Sequence, residues 1–270
     1  FKKKIKDRNS NINYDKLIDF DKNNRELINK KENLEKKKKD LSKLKDKKNF
    51  ELSKNLSKEI EEISKNQSVL QREIDKIIHN IPNLALEDVP IGENEKSNKL
   101  IKQIGKIKKF NFDIKHHSEL GEKNNNMDFD LSRKLSGARF VVLKDKLALL
   151  ERALINFMLD IHIKKFGYLE ISPPLIVNEE VMFGTGQLPK FENDQYELKT
   201  DDELERKFLI PTAEVVLTNL VRKSLLNSKD LPLRFVASTP CFRKEAGSYG
   251  KDTKGLMRQH QFYKVELVSI

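Results

Sequence analysis

Residues 242–267, FRKEAGSYGKDTKGLMRQHQFYKVEL, set two arginines and two glutamates between apolar runs. The segments LRFVASTPCFRKEA (233–246) and LMRQHQFYKVELVSI (256–270) read as the strands of an antiparallel hairpin, with the polar loop GSYGKDTKG at 247–255. Strand side chains alternate between faces. Arg243 and Glu245 therefore share a face of the first strand, and Arg258, Phe262 and Glu266 share a face of the second. If the two faces coincide, one wall carries two guanidinium forks, a ring and two carboxylates. Arginine forks match phosphate oxygens, an aromatic face takes a purine, and a carboxylate takes an ammonium group. Such a wall would bind ATP and an amino acid. The other reading is a solvated sheet face laced with salt bridges. A glycine-rich phosphate loop of either common type is missing from the sequence, so a nucleotide would need a different cradle.

The elements around this hairpin fall into two regions. Residues 15–80 contain no glycine or proline. Leu56, Ile60, Ile63, Gln67, Leu70, Ile74, Ile77 and Ile81 recur at alternating spacings of four and three, a heptad seam with one polar member. Phe20, Leu27, Leu34 and Leu41 recur every seven residues upstream, with a polar break expected near residues 46–55. Two long helices joined by a short turn would pack antiparallel to bury both stripes, as an arm roughly 50 Å long at about 1.5 Å per residue. A linker is expected at 81–98, where Pro82, Pro90 and Gly92 end the helical pattern, and a domain boundary near residue 105. The spacing downstream of 128 predicts a short helix, a turn, a strand and a long amphipathic helix through Leu147, Leu150, Leu154, Phe157, Met158 and Ile161, stopped at Gly167. The strand YLEISPPLIV that follows cannot be central at Pro173-Pro174, although an edge or a subunit contact would tolerate them.

Charged residues make up 35% of the 270-residue chain and the net charge is +11. Residues 1–80 hold 23 Lys/Arg against 15 Asp/Glu, so most of the basic excess lies on the arm, where a polyanion such as nucleic acid is the natural partner. Plain solubility is the alternative for the run Lys36–Lys39, and a dimerising coiled coil is the alternative for the arm. With one cysteine, Cys241, a disulfide framework is excluded, a cysteine-based metal site is not expected, and a reducing cytoplasm fits. No apolar run approaches the roughly 18 residues of a membrane span. His116 and His117 are adjacent, cannot both point one way on a regular element, and have no third ligand nearby in sequence.

The segment TPCFRKEAGSYGKDTKGLMRQHQFYKVEL resembles motif 2 of the class II aminoacyl-tRNA synthetases, and its wording is similar to that of the seryl-tRNA synthetases. GTGQLPKF (184–191) and LIPTAEV (209–215) agree, as does a long helical hairpin ahead of a class II body. The resemblance implies an α+β fold in which the antiparallel coiled-coil hairpin precedes a mixed, mainly antiparallel sheet with helices, divided as 1–105 and 106–270. It implies two steps: activation of serine by ATP, with Mg²⁺, to seryl-adenylate, then transfer to tRNA(Ser) held by the arm. Arg243 matches the arginine of the α-phosphate and serine carboxylate, Glu245 an acidic residue on the ATP side, and Arg258 a second phosphate arginine. Phe262 matches the adenine-stacking ring, with Lys244, Gln259, His260 and Gln261 beside it. Thr212, Ala213 and Glu214 match the serine-binding loop, and Glu266 the carboxylate for the serine amine. The prolines at 173–174 fall at motif 1, implying a homodimer, and loop 246–257 matches the loop that approaches the tRNA acceptor end. The family's motif 3 is absent before Ile270, so a fragment, inactive alone, is expected. A class II paralogue charging another acceptor would tend to lack the arm. A coiled-coil interaction protein would leave the charge parity unexplained.

Overall fold

The computed structural model describes residues 1–43, 47–202, 205–246 and 254–270, and the chain divides into two compact units, Phe1–Ile107 and Lys108–Ile270. The first unit holds α1 (Lys2–Lys6), α2 (Tyr14–Lys43) and α3 (Lys47–Ile78). The 30 and 32 residues of α2 and α3 correspond to about 45–48 Å of helix. They pack on each other through the expected seams: Leu34, Ile63 and Ile74 are buried, and Phe20, Leu27, Leu41, Leu56, Ile60, Gln67, Leu70 and Ile77 are half-buried. Ile81 lies past the end of α3 but is still half-buried.

The expected break at 46–55 is corrected by the structure. Helix α3 already runs from Lys47, and the remaining candidate turn, 44–46, lies outside the described residues. Polar residues such as Asn49 and Asn55 lower helix propensity only slightly without glycine or proline, so they do not interrupt a packed helix. The seam also has a polar member unread in the sequence. Asn24 is buried, and its amide donates to Gln71 Oε1 at 3.0 Å across the helix pair. Such a pair favours one register over slipped alternatives.

The second unit runs α4 (His117–Lys123), β1 (Met127–Asp128), α5 (Phe129–Ser136), β2 (Val142–Leu143), α6 (Asp145–Phe166), β3 (Leu169–Glu170), β4 (Ile176–Asn178), α7 (Glu179–Gly184), β5 (Glu197–Leu198), β6 (Lys207–Leu209), α8 (Glu214–Asn219), β7 (Arg234–Phe242) and β8 (Gln261–Ser269). Strands β1 and β2 pair with each other, β4-β6-β5 form an antiparallel sheet, and β3-β7-β8 form a mixed one in which β3 runs parallel to β7. The order expected from residue 128 is present, and Gly167 ends α6 in the left-handed region at φ 67°. Pro173-Pro174 fall between β3 and β4, outside any ladder.

Helix α8 holds the two sheets together. Its Val215 and Val216 pack with Val177, Met182, Leu188, Phe208 and Ile210, while Leu217 and the preceding Ala213 pack with Phe235 and Ala237. The 209–215 stretch is therefore fixed from both sides, which matters for the residues at the start of α8.

Candidate active site

The β7–β8 hairpin pairs Phe242 with Gln261, Cys241 with Phe262 and Ala237 with Glu266. Residues opposite each other in an antiparallel pair share a face, so Ala237, Thr239 and Cys241 lie on the wall with Phe262, Lys264 and Glu266. Arg243 N–H donates to His260 O at 3.0 Å, which carries the ladder one step further and keeps Arg243 on that wall. Its Nε donates to Pro211 O at 3.2 Å, and the guanidinium carbon sits 5.2 Å from the Phe262 ring centroid. Near the other end, Thr212 donates to Glu266 Oε2 at 2.5 Å and Lys264 Nζ pairs with the same oxygen. Thr212 is buried at the foot of α8, so that carboxylate oxygen is held by a rigid hydroxyl and a cation.

The strands end sooner than the sequence pattern implies. Arg243–Ala246 and Lys254–His260 lie outside β7 and β8, so period-two parity does not place Glu245 or Arg258. Glu245 instead has a left-handed backbone, φ 50°. Its carboxylate still meets Arg258, with Nη1 to Oε2 at 3.1 Å. These two residues, expected on one wall by strand alternation, meet outside the paired strands. Residues 247–253 of the predicted loop lie outside the described residues. On its return, Gly255 at φ 115° passes so close to His117 that a Cβ there would stand 2.6 Å from the ring nitrogen, which only glycine avoids.

His116 precedes α4 and caps it, so the two histidines are not on one regular element. Their rings lie 4.1 Å apart, against the expectation that they diverge. His117 Nε2 accepts from Leu256 N–H at 2.8 Å, so this ring anchors the hairpin's return segment.

Among the other predicted residues, Lys244 lays its ammonium 5.7 Å from the Tyr196 ring centroid. The His260 Nδ1 lies 3.0 Å from Arg243 O, and its ring packs on Phe140 and Tyr196. Gln259, Gln261 and Phe262 line a cavity of about 490 Å³ with Phe140 and Tyr263, and Gln259 Nε2 is buried there with no hydrogen-bond partner among the described residues. Ala213 is buried in the core, while Glu214 is exposed in the first turn of α8. Burial pushes the Cys241 thiol up from its ordinary range, partly offset by Thr239, and also raises the Tyr196 phenol.

Residues 196–270 match the family model for the tRNA synthetase class II core domain (G, H, P, S and T). The chain is 58% identical over 270 residues to a serine–tRNA ligase of Pelagibacter ubique, covering 100% of this chain and 64% of that protein. It is 55% identical over 202 residues to the serine–tRNA ligase of Parvibaculum lavamentivorans, covering 73% of this chain and 46% of that protein. The chain is similar to seryl-tRNA synthetases along its whole length. Solved seryl-tRNA synthetases share its fold. The seryl-tRNA synthetase of Pyrococcus horikoshii, complexed with ATP, matches with a TM-score of 0.76 at 31% identity over 94% of this chain and 62% of that one. The cytoplasmic serine–tRNA ligase of Naegleria fowleri, in complex with AMP, matches at 0.73 and 27% identity over 94% and 59%. The chain thus spans less than two thirds of the length of these relatives.

Three further residues of this candidate site carry little or no signal in the sequence pattern. Lys264 shares strand parity with Phe262 and Glu266, so its place on the wall is legible in the alternation, but it falls between the residues spaced by four. Asp194 and Arg139, which hold the backbone at 244–246, lie more than fifty and one hundred residues from it and carry no local signal.

Proposed function

We propose that this chain carries the serine-activating site of a serine–tRNA ligase. Serine and ATP would give seryl-adenylate and pyrophosphate, and the seryl group would then pass to the terminal adenosine of tRNA(Ser). The observation that carries this reading is the wall itself, where Arg243 lies over Phe262 and Thr212 with Lys264 grips one oxygen of Glu266. Phe262 would take adenine on its ring, with Lys244, Gln259, His260 and Gln261 around it, and Arg243 and Arg258 would bind phosphate oxygens. Both contacts to Glu266 use Oε2, which leaves Oε1 to accept the serine ammonium. Thr212, Ala213 and Glu214 would shape the rest of the serine pocket. Activation of this kind depends on positioning and on charge placed where the phosphate develops it.

Among the described residues no group of three His, Cys, Asp or Glu side chains could hold a metal ion. A Mg²⁺ ion needs no such cluster, because it binds through one or two carboxylates, phosphate oxygens and water. Glu245, a mostly buried carboxylate beside Arg258, fits that demand and would be this chain's ligand. The ion would supply neutralisation of phosphate charge.

Unit Phe1–Ile107 would bind tRNA by shape and phosphate contact. A homodimer is the assembly we favour, because α6 exposes Leu149, Leu150, Leu154, Phe157 and Met158, an apolar stripe that a second copy would cover. Among the described residues no helix is long and apolar enough to cross a membrane, and a cytoplasmic location is part of the proposal. The deciding experiment is serine-dependent ATP–pyrophosphate exchange by the full-length protein. Exchange with serine and not with alanine or threonine is expected, and its absence would reject the reading.

A further inference from the structure

Glu245 meets Arg258 from a left-handed backbone, a conformation that costs a non-glycine residue about 1–2 kcal/mol and survives where its surroundings over-determine it. Those surroundings are specific. The Asp194 carbonyl accepts from Lys244 N–H at 2.9 Å, and its carboxylate Oδ1 accepts from Ala246 N–H at 2.8 Å. One residue thus grips the amides on both sides of Glu245. From elsewhere in the chain, Arg139 Nη1 donates to the Glu245 carbonyl at 3.2 Å, while its own carbonyl accepts from His260 N–H at 3.1 Å. The backbone around Glu245 is fixed through the N–H groups of residues 244 and 246 and the carbonyl of residue 245.

Asp194 is itself anchored. It closes the 3-10 turn Glu192–Asp194, and Glu192 is bound by Arg206 Nη2 at 2.5 Å. The same guanidinium binds Glu179 at 2.5 Å and Glu197 at 2.7 Å, so three carboxylates from three elements converge on one cation. The segment leading into this turn is the GTGQLPKF stretch, whose Leu188 is buried in the core beside Phe208.

We infer that Asp194 is a positioning residue for ATP activation: it sets the Glu245–Arg258 pair by holding the amides of residues 244 and 246. The inference rests on the reading of this wall as the ATP and serine site. Among the described residues Asp194 has no hydrogen bond or ion pair with Thr212, Lys264 or Glu266, so its loss should strike the ATP side alone. Asparagine keeps an oxygen at Oδ1 and should substitute; alanine cannot.

The test uses the full-length protein, with Asp194→Ala and Asp194→Asn assayed by serine-dependent ATP–pyrophosphate exchange and by thermal unfolding. Asp194→Ala is expected to raise the KM for ATP or lower kcat about tenfold or more, the scale of a small misplacement of reacting groups. The KM for serine should stay within about twofold and Asp194→Asn within about threefold of wild type on every constant. Wild-type kinetics for Asp194→Ala, a joint rise of both KM values, or equal damage from asparagine would overturn the inference. Should the alanine variant fail to fold, Asp194→Ser withdraws the acceptor more gently and is judged by the same split. A wild-type protein without exchange would defeat the underlying reading; an active wild type with an indifferent Asp194→Ala defeats only the role of Asp194.

Discussion

The Thr212 hydroxyl donates to Glu266 Oε2 at 2.5 Å, joining the residue before the α8 turn to the middle of β8. Thr212 is 3% exposed, so its hydroxyl has no solvent to turn to, and Lys264 meets the same oxygen. Thr212→Val preserves shape and removes the donor. We expect the KM for serine to rise about tenfold, consistent with a charge-assisted hydrogen bond of roughly 1.5 kcal/mol, with the KM for ATP nearly unchanged. Glu266→Ala should abolish serine activation; unchanged activity would remove Glu266 from the serine site.

Lys264 and Thr212 grip one oxygen, so their effects should not add. Lys264→Met and Thr212→Val, alone and together, form a double-mutant cycle on serine affinity. A coupling of about 0.5 kcal/mol or more is expected for residues sharing a partner. Strict additivity would mean that Lys264 serves another group.

Cys241 is fully buried on the wall face, and burial raises its pKa above the ordinary thiol range. A raised pKa means that the fold prefers the protonated thiol. That contribution is fully present below the unfolded value of about 8.5 and is lost as pH rises through the folded value. The native protein at pH 8 should therefore react with a thiol reagent about a hundredfold more slowly than the denatured chain, since the thiolate is the nucleophile. Native reactivity equal to the denatured rate would show that β7 and β8 open readily.

Arg206 binds Glu179, Glu192 and Glu197, and its hydrogen bond lowers the Glu197 pKa below the usual glutamate value. A depressed carboxylate pKa contributes stability above the unfolded value of about 4.3, lost as pH falls through the folded value. Arg206→Leu should cost about 1–2 kcal/mol at neutral pH, allowing for partial exposure of the cluster, or roughly 3–8 °C in Tm. Below about pH 4 the gap between variant and wild type should narrow, because the wild type loses the same interaction. A gap that stays constant with pH would assign the loss to packing on Phe208, whose ring centroid lies 5.1 Å from the guanidinium carbon.

How far the sequence reached depends on which physical rule governs each residue. Phe262 and Glu266 were legible because they sit inside a paired strand, where alternation is strict. The arm was legible because its seam repeats over many turns, although its buried Asn24 looked like any surface polar residue until Gln71 was found opposite. Glu245 and Arg258 were named for a parity they do not have. Their meeting depends on a left-handed turn that residue types do not announce, and on Asp194 and Arg139, which only the tertiary fold brings near. The end of the α2–α3 break was misplaced because a polar run was given the weight of a glycine or proline.

The last prediction concerns the arm. Helices α2 and α3 bury their seam against each other, so replacing residues 15–80 by a short linker removes a self-contained hairpin. That segment belongs to a region, 1–80, with eight more Lys/Arg than Asp/Glu, 23 against 15. If it binds tRNA through phosphates, the deletion should reduce tRNA charging far more than serine-dependent pyrophosphate exchange. The wild-type KM for tRNA should also rise steeply with salt, as counterion release requires, while the KM for serine changes little. Equal loss of charging and exchange would give the arm a folding role. A KM for tRNA that ignores salt would move the contact away from the basic helices.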